Sequence, residues 1–317
     1  MSFALDPVIA SRLEAMRPDT VVPSPSRGDI AARRARSAEM FAGVAQIFPP
    51  TDDIRVCEYL VPVKEDAILV RWYMPPQPNA SRTPGSAVIF LHGGGMIAGS
   101  VEEHHPIVSA YVRSSGVPFL SVDYRLAPGS RGSVPVDDCF AALSWLREHA
   151  EVLGIDSQRI AVMGDSAGGG LAAGVAIAAR NASIPIARQI LIYPMLDDRT
   201  TDPDPHLLPF ATWTYDDNHT GWHALLGDQI GGADVSPSVA PGRQEDHAGL
   251  APAYIEVGEL DIFRDESIRY ARDLGRAGIS TELIVRPGAP HAFDVIAIGT
   301  DLSDRAFEDR RRAIISF

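Results

Sequence analysis

The sequence predicts an α/β fold, a mainly parallel central sheet flanked by helices and covered at one end by a helical cap. Short apolar runs alternate along most of the chain with stretches of helical periodicity, the pattern of strands joined by crossover helices. Two of the runs, AVIFL at 87–91 and FLSVDY at 119–124, lack polar alternation, as strands covered on both faces do. At 160–171, IAVMGDSAGGGL passes from an apolar strand through a glycine-rich turn directly into a helical pattern. A length of 317 residues suits one large core with an added cap.

The elements follow in order. Asp6-Pro7 reads as an N-cap followed by proline at the first helical position, with Ile9, Leu13 and Met16 on one face and Pro18 as the stop. Residues 23–28 are rich in proline and serine and read as a linker. A second helix is expected from Asp29 to about Ile47, with Arg33, Arg34 and Arg36 on a solvated face. After Pro49-Pro50 come expected strands at 54–61, 67–74, 87–91 and 119–124, a helix at 137–150, a strand at 160–163 and a helix from 167 to about 179. Further strands are expected at 189–193, 254–258 and 281–285. Residues 197–228 break the rhythm with Pro203, Pro205, Pro209, several acidic residues, Trp213, Tyr215 and Trp222. A long irregular insertion of this kind reads as a lid or binding loop. The expected organisation is therefore a cap region at 1–48 and a catalytic domain at 49–317, with 197–228 as a cap or lid insertion. No internal repeat is present.

The net charge of −13 opposes nucleic-acid phosphates and anionic lipid surfaces, so a neutral or cationic small substrate fits better. Two cysteines, Cys57 and Cys139, are too few for a disulfide framework and suit a reduced, cytoplasmic setting. No apolar run approaches the roughly 20 residues that span a bilayer, and the first residues carry neither a basic nor a continuous apolar leader segment. Stable membrane insertion and secretion are not expected.

Chemistry concentrates at a few motifs. Gly164-Asp165-Ser166-Ala167-Gly168 matches G-x-S-x-G, in which a serine sits in a strained strand-to-helix turn and small neighbours leave its hydroxyl exposed. A serine hydroxyl is a poor nucleophile at neutral pH, so a base and an anion-stabilising cradle must be supplied elsewhere. His92-Gly93-Gly94-Gly95 follows the strand at 87–91; backbone N–H groups of Gly93, Gly94 and Ala167 are the expected oxyanion donors. His92, at the strand end, is expected to hold that loop rather than act as base. The base should lie after the serine with an acid between them; His291 follows the strand at 281–285 and a Pro/Gly turn, and Asp261 stands at the exit of the strand at 254–258. Asp265 and Glu266 are expected to cap the following helix. His104 and His105, and the pair His219 and His223, lack a third clustered ligand; they read as surface or cap histidines, and no metal is expected.

HGGG at 92–95, DYRLAP at 123–128, GDSAGGGLA at 164–172, LIYPMLD at 191–197, GELDIFRDE at 258–266 and HAF at 291–293 occur in this order. Together they make the chain resemble the hormone-sensitive-lipase family, the bacterial family IV esterases of the α/β-hydrolase superfamily, across most of residues 55–300. The resemblance implies a cofactor-independent carboxylic-ester hydrolase with the triad Ser166, Asp261 and His291 acting on small esters, an N-terminal helical cap over the pocket, and homodimerisation as in some relatives. Met96, Asp165, Trp213 and Trp222 are the candidate substrate contacts. The chain departs from the family pattern at 129–133 (GSRGS), at Met96 and at Ile262-Phe263, positions that bear on pocket shape rather than on the triad. Two other readings fit less. A nicotinamide-dependent oxidoreductase could use Gly93-x-Gly95-x-x-Ala98, but Asp123 lies farther downstream than the roughly 20 residues that pattern needs. A non-catalytic receptor on the same fold normally discards a triad member, whereas all three are present.

Overall fold

In the computed structural model, residues 3–16, 24–64, 66–76 and 85–317 are described; Pro18 and Pro23, expected to end the first helix and open the linker, lie outside them. The strands are β1 (Arg55–Val63), β2 (Asp66–Met74), β3 (Gly85–Leu91), β4 (Phe119–Val122), β5 (Ile155–Asp165), β6 (Arg188–Ile192), β7 (Ala253–Gly258) and β8 (Thr281–Arg286). They form one sheet in the order β1-β2-β4-β3-β5-β6-β7-β8. β1 with β2 and β2 with β4 are antiparallel, and every later pairing is parallel.

The absence of polar alternation in β3 now has its cause. Ile89 and Leu91 feed one apolar layer while Val88 and Phe90 feed the other, so successive residues of one strand point into different cores. The helices are α1 (Pro7–Ala15), α2 (Ile30–Ala45), α3 (His105–Ser115), α4 (Val134–Glu148), α5 (Ala150–Leu153), α6 (Ala167–Asn181), α7 (Tyr215–Leu226), α8 (Arg264–Arg276), α9 (Phe293–Ile296) and α10 (Asp301–Ile314). Helices α4 and α6 contribute to the first layer; α3 and α10, neither of them foreseen from the sequence, contribute to the second. Asp6 caps α1 through its carboxylate, as expected, and Asp29, at the expected start of the second helix, caps α2 in the same way. No helix among the described residues is long and apolar enough to cross a membrane.

Three expectations need correction. Of the three arginines of α2 expected on a solvated face, Arg34 and Arg36 are exposed but tied down, and Arg33 is not on that face at all. Arg33 is 3% exposed, with Nε 2.8 Å from Asp217 Oδ1. Arg34 donates to the carbonyls of Ile97 and Ala127 at 2.7 and 3.1 Å, and Arg36 meets Asp217 at 3.0 Å. Periodicity along α2 did not reveal this because the partners lie in distant segments. Residues 197–228 are not irregular throughout: they contain α7, whose start is fixed by reciprocal hydrogen bonds between Thr214 and Asp217. Prolines before the helix masked a cap signal that was readable at Thr214. His104 is not a surface histidine. It is fully buried against Phe41, with ring centroids 4.2 Å apart, and against His92, at 5.3 Å. His219 and His223 do share a helical face, their rings parallel within 11°.

Candidate active site

Parallel strands end on the same side of the sheet, and β5, β7 and β8 there lead into the loops that carry Ser166, Asp261 and His291. Ser166 joins β5 to α6 at φ 53°, ψ −119°, a backbone state that costs of order 1–3 kcal/mol for a residue with a side chain. Neighbouring segments hold it there. Its N–H donates to the Ile192 carbonyl at 2.8 Å, and its carbonyl accepts from Met195 and Gly170 at 2.9 and 3.0 Å. The small flanking residues are a steric necessity. A β-carbon on Gly164 would strike the Gly168 carbonyl, and one on Gly168 would strike the Leu91 carbonyl; both obstacles are backbone.

The Ser166 hydroxyl lies 2.9 Å from His291 Nε2, and His291 Nδ1 lies 2.7 Å from Asp261 Oδ2. A carboxylate can only accept, so Nδ1 carries the proton and Nε2 presents its lone pair to the hydroxyl. The other Asp261 oxygen accepts from the Phe263 N–H at 2.9 Å. Rings of Phe263 and Tyr193 stand edge-on to His291 at 5.1 and 4.8 Å, and Thr212 donates to the His291 carbonyl at 2.7 Å. The imidazole is thereby fixed on several sides.

Glu266 behaves differently from the expected helix cap. It is buried and reaches across to accept from the Leu196 N–H at 2.6 Å, while Thr200 donates to its other oxygen. Burial pushes its carboxyl well above the usual carboxylate range. Asp265 pairs with Arg264 at the surface.

His92 holds the glycine loop. Its Nδ1 is 2.8 Å from the Gly93 carbonyl, its ring stacks on Tyr124 at 4.2 Å, and the Tyr124 hydroxyl donates back to the His92 carbonyl at 2.7 Å. Burial, with His104 alongside, pushes the imidazole down to about 3, so it is neutral near pH 7.

Of the three expected oxyanion donors, Gly93 is already committed: its N–H donates to Asp165 Oδ1 at 3.1 Å. The N–H groups of Gly94, Gly95 and Ala167 have no partner among the described residues. Gly94 and Gly95 take φ values of 118° and 61°, and a β-carbon on Gly95 would press on the Trp213 ring at 2.5 Å. Gly95 was missed because the HGGG pattern alone does not say which amide the following aspartate consumes.

A cavity of about 320 Å³ opens onto Ser166 and His291. Helices α1 and α2 supply part of its wall, Thr212 and Trp213 another, and Asp165 also borders it. Of the proposed substrate contacts, Trp222 and Met96 do not border it. Trp222 is fully buried in the first apolar layer, and Met96 is 2% exposed beneath the glycine loop. Among the described residues no group of three or more His, Cys, Asp or Glu side chains could hold a metal ion.

A family model described as alpha/beta hydrolase fold matches residues 88–295. An ethyl acetate hydrolase of Pseudomonas putida is 36% identical over 71% of this chain and 70% of its own. Esterase LipI of Mycobacterium tuberculosis is 34% identical over 81% and 82% respectively. Among solved structures, a bacterial heroin esterase superposes with a TM-score of 0.87 at 33% identity, covering 98% of this chain and 97% of its own.

Proposed function

The chain belongs to the α/β-hydrolase family, within its hormone-sensitive-lipase-like esterases, and from that membership we propose that it is a serine carboxylesterase working through an acyl-enzyme. The observation that carries this reading is the continuous hydrogen-bond path from Asp261 through His291 to Ser166.

His291 Nε2 takes the hydroxyl proton as Ser166 Oγ attacks the ester carbonyl carbon, and Asp261 stabilises the imidazolium that forms. The N–H groups of Gly94, Gly95 and Ala167 receive the oxyanion; each such donor is typically worth roughly 10²–10³ in rate. The protonated His291 then delivers its proton to the leaving alkoxide, and the C–O bond breaks to leave Ser166 acylated. Water repeats the cycle on the acyl-enzyme and releases the carboxylic acid. Asp165 positions the loop by holding the Gly93 N–H and does not touch the reacting atoms.

Residues 1–48 and 197–228 act as the cover over the site, with Trp213 as the aromatic contact to substrate. The cavity is at the small end of ligand pockets, roughly 300–1,000 Å³, which supports short-to-medium acyl chains. Cys57 and Cys139 are both unbridged, in keeping with a reducing compartment. Nitrophenyl esters of increasing acyl length test the reading. Turnover should fall off at long chains, and a Ser166→Ala variant as active as the parent would overturn the mechanism.

A further inference from the structure

The wall of the cavity is mostly apolar, but one position at its rim is not. Arg36 borders the cavity, and its side chain is 42% exposed, so it stands at the opening with the exposed Met16, which also borders the cavity. Among the described residues, charge there does not balance. Two guanidiniums, Arg33 and Arg36, converge on a single oxygen, Asp217 Oδ1, at 2.8 and 3.0 Å. The other Asp217 oxygen is taken by the Thr214 N–H at 3.0 Å. Arg33 is buried and satisfied by the carbonyls of Pro25, Ser26 and Asp29 besides Asp217. The surplus positive charge therefore rests on Arg36, the exposed member.

Neither carboxylate that borders the same cavity, Asp165 or Asp294, pairs with Arg36, whose ion-pair partner among the described residues is Asp217. Asp165 accepts from the Gly93 N–H, and Asp294 accepts from the Tyr193 hydroxyl and pairs with the buried Arg310. From this arrangement, which rests on the ester-hydrolase reading above, we infer that Arg36 recognises an anionic group carried by the substrate away from the scissile bond. The preferred substrates are then esters bearing a second, carboxylate-like group. A net charge of −13 had pointed to neutral or cationic substrates. At the cavity opening, a cation within hydrogen-bond reach outweighs charges beyond the roughly 8 Å screening length of physiological salt.

The test compares each anionic ester with its neutral methyl-ester counterpart. One pair places the charge on the acyl side, p-nitrophenyl hydrogen adipate against p-nitrophenyl methyl adipate. The other places it on the alcohol side, 4-carboxyphenyl butyrate against 4-(methoxycarbonyl)phenyl butyrate. The readout is the ratio of kcat/KM, anionic over neutral, for the parent, Arg36→Met and Arg36→Lys. For at least one pair the ratio should fall about fivefold in Arg36→Met, as suits a half-exposed charge-assisted hydrogen bond, and recover in part in Arg36→Lys. That pair's identity tells which side carries the anion. An unchanged ratio for both pairs overturns the assignment to Arg36 while leaving the esterase reading intact. Absence of Ser166-dependent turnover of the neutral esters would instead remove the esterase reading itself.

Discussion

The floor and the cover of this site are held by different physics. On the floor, Ser166 is fixed by backbone hydrogen bonds and by glycines whose neighbours are carbonyl groups, so the geometry is set by main-chain sterics between adjoining strand ends. In the cover, α2 is docked by guanidiniums reaching Asp217 and the carbonyls of Ile97 and Ala127, partners 184, 63 and 93 residues away. The floor is thus rigid by construction. The cover depends on side-chain charges whose burial is favourable only while every partner is present.

If that contrast holds, perturbing the two regions should give different signatures. The largest effect is expected from Ser166→Ala, which should lower kcat/KM by at least about 10⁴ with circular dichroism and urea midpoint close to the parent's, since the change removes chemistry and not packing. Next comes Asp217→Asn, which strands the buried Arg33 and should cost about 3–5 kcal/mol in urea unfolding. Arg33→Met combined with Asp217→Leu should recover most of that loss, because the apolar pair leaves no buried charge unpaired and the Arg36 it releases is exposed. Failure of the double variant to recover would show that the cover is held by packing instead.

A smaller loss is expected from Gly168→Ala, about 1–3 kcal/mol by overpacking against the Leu91 carbonyl. It should be accompanied by a drop in kcat larger than any change in KM, because the displaced turn carries Ser166. An effect confined to KM would contradict the view of the floor as a positioning device.

The smallest effect is electrostatic and lies beneath the floor. His92 titrates at about 3 in the folded protein against an ordinary 6.5. Between those values the unfolded chain binds a proton that the native one excludes, so the contribution to stability is complete above about pH 6.5 and is lost as pH falls toward 3. The loss should amount to about 2 kcal/mol between pH 7 and pH 5. Urea unfolding at both pH values, for the parent and for His92→Asn, isolates it: the variant's stability should vary less over this interval. Equal slopes would mean that His92 does not exclude the proton.

How legible each region was follows from the same distinction. The strands, the serine turn and the order of Ser166, Asp261 and His291 could be read because each is announced by residues adjacent in the chain. β-branched and apolar runs bounded by turn residues mark strands, and a serine among glycines marks a turn that tolerates positive φ. Even the extension of β5 back to Ile155, beyond the expected start at Ile160, is a boundary shift within a correct element. Reading failed where a residue's environment comes from elsewhere. Arg33 looks like any surface arginine of an amphipathic helix until Asp217 arrives. Trp222 and Met96 look like pocket aromatics and thioethers until the layers close over them. The Gly93 amide looks available until Asp165 accepts from it.

The sequence by itself therefore determined the order of the strands along the chain, the strained serine turn and the identity of the three side chains able to form a proton path. Those follow from local sterics and from which groups can donate, accept or ionise. Only the tertiary structure decided which amides of the described residues remain free, which aromatics border the cavity and which of three neighbouring arginines stands exposed beside it. Each of those outcomes depends on desolvation and pairing between segments far apart in the chain, and burial acquires its energy only once both partners have met.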